Sequence, residues 1–517
     1  MNALSTDSVV AVIGSGAMGA GIAQVAAASG HRVKLYDTRP EAVAKALADI
    51  AKMYLKLAEK GRMTAAEAHA ATARLQGAAS LAEMADAALV VEAIVENLAV
   101  KRALFAELEG VVGDDCILAS NTSSISVTAI AAGLRLPQRL VGMHFFNPVP
   151  LMALVEVISG LATDAAVAAT VHATAAAWGK SPVHAKSTPG FIVNRVARPF
   201  YAEALRLLNE GAGDAATIDA VLREAGGFRM GPFELMDLIG HDINFSVTQS
   251  VFQAYFNDPR FTPSVLQQEM VNAGFLGRKA GRGFYQYGEG APAPLPHTEA
   301  PQAKPEFLSY SVAAGADGGV SDVLARRFAA AGFEPARRPA APDGQGDTAP
   351  AFHCNGAAIY LSDGRSATER ARANQHPDTV LFDLALDYAT ATRVALSCAD
   401  QCSPAAYQAA VGLFQAAGFA VSRLDDVAGL AVMRSVAMLA NEAADAVNQG
   451  VCSAAAVDIA MQKGVNYPRG PLAWADAVGV AHIVTVLQNL ADYYGEDRYR
   501  VAPLLRRTLA KGGKFHA

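Results

Sequence analysis

The stretch from Ser8 to Gly19, Ser-Val-Val-Ala-Val-Ile-Gly-Ser-Gly-Ala-Met-Gly, constrains this chain more than any other. An apolar run ends in glycines at G-x-G-x-x-G spacing, continues as small helix-compatible residues from Ala20 to Ser29, breaks at Gly30, and resumes as the alternating run His31 to Tyr36. That pattern reads as strand, turn, helix, strand. Asp37 closes the unit 23 residues beyond Gly14. Gly14 permits the tight turn, Gly16 lets the backbone approach a diphosphate, and Gly19 lets the helix pack close to the sheet. The helix N-terminus, with Ser15, Ala17 and Met18 in the loop, favours the anion. Asp37 hydrogen-bonds ribose hydroxyls and repels a 2′-phosphate, so NAD is expected rather than NADP, although Arg39 just beyond it is a residue type that accompanies relaxed NADP preference.

Further apolar runs at 89–94, 116–120 and 140–143 alternate with helix-compatible stretches, which implies a doubly wound, mostly parallel α/β sheet of the Rossmann type. Ligands of such sheets sit beyond the carboxyl ends of the strands. That rule gathers Gly14 to Gly19, Asp37, Glu96, Ser123 and His144 at one crevice. His144 lies in Gly-Met-His-Phe-Phe-Asn-Pro-Val-Pro, residues 142–150, and Glu156 lies in the next apolar strand, 154–158. A buried carboxylate is costly unless paired, and an imidazole partner turns the pair into a base near neutral pH. Alone, His144 reads equally well as a satisfied core histidine; its place past a strand of a dinucleotide sheet favours the base. Residues 40–75 exceed what a crossover needs. Glu41 to Lys60 is expected to be helical, and Thr64-Ala65-Ala66-Glu67 is shaped like a capping box opening a second helix. Lys45, Lys52, Lys56 and Lys60 on this insertion read as a solvated face or as contacts to a phosphorylated substrate tail.

The 517 residues are 52% apolar and 18% charged, enough for several cores. A net charge of −6 without an aromatic-interleaved basic stripe argues against nucleic acid as a partner. The first residues lack the basic and apolar regions of a signal peptide, and no run of roughly 18 uncharged apolar residues occurs. A cytoplasmic protein with no membrane partner is therefore expected. Cys116, Cys354, Cys398, Cys402 and Cys452 are expected to be reduced thiols. Only Cys398 and Cys402 are close, and they lack a second pair at metal spacing, so no metal is expected.

From Gly190 the chain turns helical, and the pattern recurs 239 residues later. Gly190 meets Gly429, Glu203 meets Glu442, Asn209 meets Asn448, Gly211 meets Gly450, Asp219 meets Asp458, Gly231-Pro232 meets Gly470-Pro471, Asp237 meets Asp476 and Gly240 meets Gly479. Matches at one offset over about fifty residues mark an internal duplication. The expected organisation is a Rossmann-like NAD-binding domain over 1–188, a helical domain over 189–287, a Pro/Ala/Gly-rich linker over 288–306, a degenerate α/β segment over 307–426, and a second helical copy over 427–517. At the same offset His144 meets Asp383, Glu156 meets Ala395 and Asn194 meets Met433. The repeat is expected neither to bind NAD nor to catalyse.

Several strings in this order resemble the L-3-hydroxyacyl-CoA dehydrogenases. They are Gly14 to Gly19, Val91-Glu92-Ala93-Ile94-Val95-Glu96-Asn97 with Lys101, Ser120-Asn121-Thr122-Ser123-Ser124, the string 142–150, Thr188 to Arg195, and Gly231 to Asp237. The resemblance covers about residues 8–287, and the two-copy layout is similar to the bacterial 3-hydroxyadipyl-CoA or 3-hydroxybutyryl-CoA type of phenylacetate catabolism. It implies that His144 takes the proton from the 3-hydroxyl while hydride passes to NAD, and that Glu156 orients and charges the imidazole. Ser123 and Asn194 match residues that bond the reacting oxygen and hold the acyl-CoA. Glu96, Lys101 and Asn147 match nicotinamide-side and ribose contacts, and Lys60 matches a CoA-contacting lysine. Met53 departs from relatives that offer CoA a hydroxyl there. In the family the helical domain pairs two subunits, so the tandem copy implies an intrachain pseudo-dimer, with a homo-oligomer of the whole chain also compatible. For a substrate with a distal carboxylate, Arg198 or Arg229 is a candidate cation. A CoA-independent β-hydroxyacid or sugar-acid dehydrogenase and a non-catalytic NAD-binding scaffold are the competing readings.

Overall fold

The apolar runs of the first part assemble into eight strands: β1 (Val9–Ile13), β2 (Arg32–Tyr36), β3 (Leu75–Gly77), β4 (Ala87–Glu92), β5 (Ile117–Ser120), β6 (Leu140–Phe145), β7 (Leu154–Ser159) and β8 (Ser181–Lys186). Their order is β3-β2-β1-β4-β5-β6-β7-β8, parallel throughout except between β6 and β7. β1 is apolar and buried at every position, as a central parallel strand must be. The chain leaves β1 on one side through β2 and on the other through β4, so a crevice opens at their carboxyl ends. The insertion after β2 folds as the helices Pro40–Glu59 and Ala65–Ala73. The Thr64 capping box is formed, with Thr64 N–H donating to Glu67 at 2.7 Å and Glu67 N–H donating to Thr64 Oγ1 at 3.1 Å.

The computed structural model describes residues 2–312, 320–339 and 349–516. They divide into two compact units, Met1–Arg195 with Ala446–Asn466, and Val196–Asp445 with Tyr467–Ala517. Among the described residues no single helix is long and apolar enough to cross a membrane.

The second unit holds β9 (Leu308–Val312), β10 (Ala336–Pro339), β11 (Phe352–Cys354), β12 (Ala357–Leu361), β13 (Thr379–Phe382), β14 (Arg393–Cys398) and β15 (Ala420–Arg423), ordered β10-β9-β11-β12-β13-β14-β15. The 239-residue offset holds well beyond the window evident in sequence. Leu154–Ser159 returns as Arg393–Cys398, Ala165–Ala177 as Pro404–Ala416, and Pro232–Ile239 as Pro471–Val478. Positive-φ residues recur in step, among them Gly190 and Gly429, Phe191 and Leu430, and Gly240 and Gly479. Strands β12 to β15 of the α/β segment therefore repeat the carboxyl-terminal half of the first sheet, whereas β9, β10 and β11 have no counterpart at that offset.

Two details cut across the boundaries expected from sequence. Helix Ala454–Gly464 of the second helical copy packs on β7 and β8 of the first sheet, where Lys186 N–H donates to Val451 O at 2.9 Å. A Cβ on Gly464 would stand 2.6 Å from Leu154 Cδ2, so glycine lets the helix end reach the strand. At the matching positions, helix Ala215–Glu224 of the first copy packs on β14, and Asp425 N–H donates to Ala212 O at 2.8 Å. Residues 288–306 contain neither helix nor strand, as a linker should, yet they are strapped along β15. Glu299 N–H donates to Val421 O at 2.8 Å and Ser422 Oγ donates to His297 O at 2.7 Å. The strap satisfies backbone groups of an edge strand.

Asp383, just past β13, is buried, and its carboxylate accepts four amide N–H groups, from Leu384, Ala431, Val432 and Met433, at 2.7–2.9 Å. Burial nevertheless pushes its carboxyl up to about 6. In Asp383→Asn the amide group faces two of those donors with donors of its own. The variant is expected to lose about 2–3 kcal/mol of stability, read as a lowered denaturation midpoint, and an unchanged midpoint would mean the carboxylate contributes nothing.

Candidate active site

The antiparallel pairing of β6 and β7 sets His144 directly opposite Glu156. His144 Nδ1 lies 2.7 Å from Glu156 Oε2, and both residues are buried. The other carboxylate oxygen, Oε1, accepts the amides of Ile192 and Val193 at 2.9 and 3.0 Å. Those amides are presented by a turn in which Gly190 and Phe191 both take positive φ, 73° and 47°. Phe146 and Phe191 flank the imidazole with ring centroids 4.5 and 5.9 Å away, which shields one side of the ring from water. With Nδ1–H donated to the carboxylate, Nε2 is the nitrogen left to exchange a proton.

A second carboxylate organises the loop beyond β5. Glu96 Oε1 accepts Thr122 Oγ1 at 2.6 Å and the amides of Ser123 and Ser124 at 2.9 and 3.1 Å, while Oε2 lies 3.2 Å from Lys101 Nζ. Burial alone would raise the Glu96 carboxyl, but the Thr122 hydroxyl, the Lys101 charge and the Ser123 amide together hold it below its ordinary value. Ser123 is partly exposed at the crevice, and Asn194 reaches it by donating Nδ2–H to Ser123 O at 3.3 Å. Asn121 Oδ1 accepts the Phe145 amide at 2.9 Å, tying the β5 loop to the strand that carries His144.

Two candidate lysines sit in opposite surroundings. Lys101 is fully buried, its ammonium 2.5 Å from Glu92 Oε1 and 3.2 Å from Glu96 Oε2. Glu92 was not singled out from sequence. It is wholly buried at the end of β4 and also accepts Ser120 Oγ at 2.6 Å and the Ile94 amide at 2.7 Å. An acid in an apolar strand followed by a lysine nine residues on was the available signal. Lys60 stands exposed at the C-cap of helix Pro40–Glu59 and does not line the adjoining cavity. That cavity, of about 710 Å³, is lined by residues including Gly16, Arg39, Lys45, Met53, Asn147 and Leu151.

The glycine loop fits a dinucleotide. Gly14 has φ 103°, and a Cβ there would lie 2.5 Å from Ala93 O. On Gly19 it would lie 1.8 Å from Gly14 O, whereas on Gly16 it would meet no protein atom within 4 Å and would project into the crevice. Ser15 donates both its amide and its hydroxyl to Asp37 Oδ2 at 2.9 Å. Burial would raise the Asp37 carboxyl, but these bonds hold it below its usual range, so it stays ionised. Ala17 and Met18 open the helix Ala17–Ala28 behind the loop. Among the described residues no group of three or more His, Cys, Asp or Glu converges as metal ligands would.

Comparison with known proteins follows this division of labour. The 3-hydroxyacyl-CoA dehydrogenase NAD binding domain model matches residues 9–188, the C-terminal domain model of the same family matches 190–287 and again 429–515, and a 3-hydroxybutyryl-CoA dehydrogenase reduced Rossmann-fold domain model matches 359–427. The chain is 43% identical to the 3-hydroxyadipyl-CoA dehydrogenase of Escherichia coli K12, across 98% of both chains. A probable 3-hydroxybutyryl-CoA dehydrogenase of Bacillus subtilis is 43% identical over 54% of this chain and 97% of its own. The crystal structure of a 3-hydroxybutyryl-CoA dehydrogenase from E. coli K12 superposes with a TM-score of 0.87 at 40% identity, covering 98% of this chain and 99% of that one.

Two variants test the geometry. Gly19→Ala forces its Cβ into the Gly14 carbonyl and is expected to weaken NADH binding by on the order of tenfold in a fluorescence titration, an unchanged affinity counting against the loop. Lys101→Met leaves Glu92 buried without its cation and is expected to cost about 3–5 kcal/mol of stability in denaturant titration.

Proposed function

The chain belongs to the 3-hydroxyacyl-CoA dehydrogenase family and is an NAD-dependent oxidoreductase of that class. From this premise we propose that it oxidises a short L-3-hydroxyacyl-CoA, 3-hydroxyadipyl-CoA or 3-hydroxybutyryl-CoA, with His144 as general base. The observation that carries the reading is the 2.7 Å contact between His144 and a Glu156 whose other oxygen is already locked by two amides. When bound, NAD accepts the hydride from C3. His144 Nε2 takes the hydroxyl proton, and Glu156 stabilises the imidazolium that results, as in other oriented dyads. Ser123 and Asn194 hold the reacting oxygen, and Glu96, kept ionised and oriented by Lys101, shapes the nicotinamide side of the crevice. Asn147 lies on the cofactor side of the crevice, and the helix insertion lines the path of the CoA moiety.

Both substrates rest on relatives: the full-length relative from E. coli is named for the adipyl thioester, the superposed structure for the butyryl one. The reciprocal seating of helices Ala454–Gly464 and Ala215–Glu224 supports an intrachain pseudo-dimer, in which each sheet is covered by a helix of the other copy. We place the protein in the cytoplasm.

His144→Gln is expected to lower kcat by on the order of 10²–10⁴-fold while leaving the NADH Kd unchanged; equal losses in both would make the histidine structural. Steady-state kinetics should show kcat/KM for 3-oxoadipyl-CoA and acetoacetyl-CoA far above that for free 3-hydroxybutyrate, and comparable turnover of the free acid would remove CoA from the reading. A truncation ending at Tyr287 loses the helix seated on β7 and β8, so sedimentation should find it self-associated or aggregated. A monomeric, active truncation would overturn the pseudo-dimer.

A further inference from the structure

The turn after β14 brings two thiols together, remote in sequence from the dinucleotide crevice. Cys398 ends the strand. Cys402 is folded back by a turn in which its amide donates to Ala399 O at 2.9 Å, and its S–H donates to Ser403 O at 3.6 Å. From the neighbouring strand β15, Arg423 sets Nη2 3.7 Å from Cys398 Sγ. Both thiols, with Arg423, Tyr407 and Glu299, line a cavity of about 240 Å³, and both are partly exposed. The remaining cysteines differ in kind: burial pushes the thiols of Cys116, Cys354 and Cys452 up to about 12.

The adjacent Cys402 thiol lowers the Cys398 thiol below its ordinary value. Burial opposes this, Arg423 adds to it, and Asp426 and Asp400 work against it. The same neighbour, together with burial, raises Cys402 above its ordinary value. A partly exposed thiol beside a guanidinium and a second thiol is the arrangement of a reactive and a resolving cysteine.

We propose that Cys398 and Cys402 are a redox pair, with Cys398 the nucleophile toward hydroperoxides and Cys402 the resolving thiol. The Cys398 thiolate attacks the terminal oxygen of the hydroperoxide. The S–O bond forms, the O–O bond breaks, and the departing alkoxide or hydroxide takes a proton and leaves as alcohol or water. Cys402 then attacks the sulfenic sulfur; the S–S bond forms, the S–O bond breaks, and the hydroxide leaves as water with the Cys402 proton. Two thiols lose two electrons in all, and the hydroperoxide is reduced by them. The disulfide would staple the end of β14 to the residue before the N-cap of helix Pro404–Ala416. External thiols reverse it by exchange.

The test is mass spectrometry of the full chain after treatment with hydrogen peroxide near stoichiometry. The expected product has lost the mass of two hydrogens and two alkylatable thiols, maps as a Cys398–Cys402 peptide link, and returns to the starting mass with dithiothreitol. Cys402→Ser should stop at a sulfenic acid on Cys398 that dimedone captures, Cys398→Ser should leave the chain unoxidised, and Arg423→Gln should react several-fold more slowly at neutral pH. Oxidation spread over Cys116, Cys354 and Cys452, or a Cys402→Ser variant without dimedone adduct at Cys398, would overturn the proposal. None of these readouts depends on dehydrogenase turnover.

Discussion

A carboxylate sealed away from water, Glu156, is the constraint on which the first unit depends. Left unpaired it would cost several kcal/mol. It is tolerated because both of its oxygens are bonded: Oε1 receives the amides of Ile192 and Val193, and Oε2 receives His144. The amides are there to be received only because the chain turns through two consecutive positive-φ residues, the second of them Phe191. A non-glycine residue in that region costs on the order of 1–2 kcal/mol, which the charge-assisted bonds to the carboxylate offset. One buried charge thus joins three things: the register of β6 on β7, the entry into the helical segment, and the orientation of the imidazole.

The duplication separates the structural part of that arrangement from the chemical part. In the second unit Leu430 has φ 51°, as Phe191 has 47°, and the amides of Ala431 and Val432 again meet a buried carboxylate. No histidine is involved. The turn and its anion are therefore a requirement of the fold, present in both copies, while the imidazole is an addition to one. The exchanged helices follow the same logic. Each sheet needs its outer strands covered, and the covering helix is supplied by the other copy at matched positions, down to the paired amide bonds of Lys186 and Asp425.

What could be read from the chain follows the range of the interaction involved. The glycine loop was legible because its demands are local: a positive φ at Gly14 and a close approach at Gly19 admit no side chain whatever surrounds them. The opposition of His144 and Glu156 was legible because consecutive apolar strands joined by a short turn pair with each other. Glu92 with Lys101 was not, since a lysine on a helix reads as a solvated face. Only Glu96, on the loop after β4, brings a second carboxylate to its ammonium, while Ser120 on the next strand bonds the other oxygen of Glu92. The seating of helix Ala454–Gly464 on β7 and β8 was illegible for a related reason: an amphipathic pattern says which face is buried, not which distant sheet buries it. The strap at 288–306 likewise owes its order to β15 and nothing in its own composition.

The loss of the dyad in the second copy follows from side-chain length. Asp383 occupies the place of His144, and its amide bonds Ala395 O across the strand pair. In the first copy that place holds an imidazole, so the anion for the turn has to come from the opposite strand, and a glutamate at 156 is long enough to reach both the amides and the ring. With an aspartate at the end of β13, the carboxylate is already beside the amides and takes four of them directly. The opposite position then needs no acid, and a second buried carboxylate there would repel the first. Ala395, buried and without a polar atom on its side chain, is what that geometry admits. The histidine and the glutamate are thus linked, since a glutamate at 156 serves both the amides and the ring. One change from histidine to aspartate removes the base and, by the same stroke, the reason for its partner.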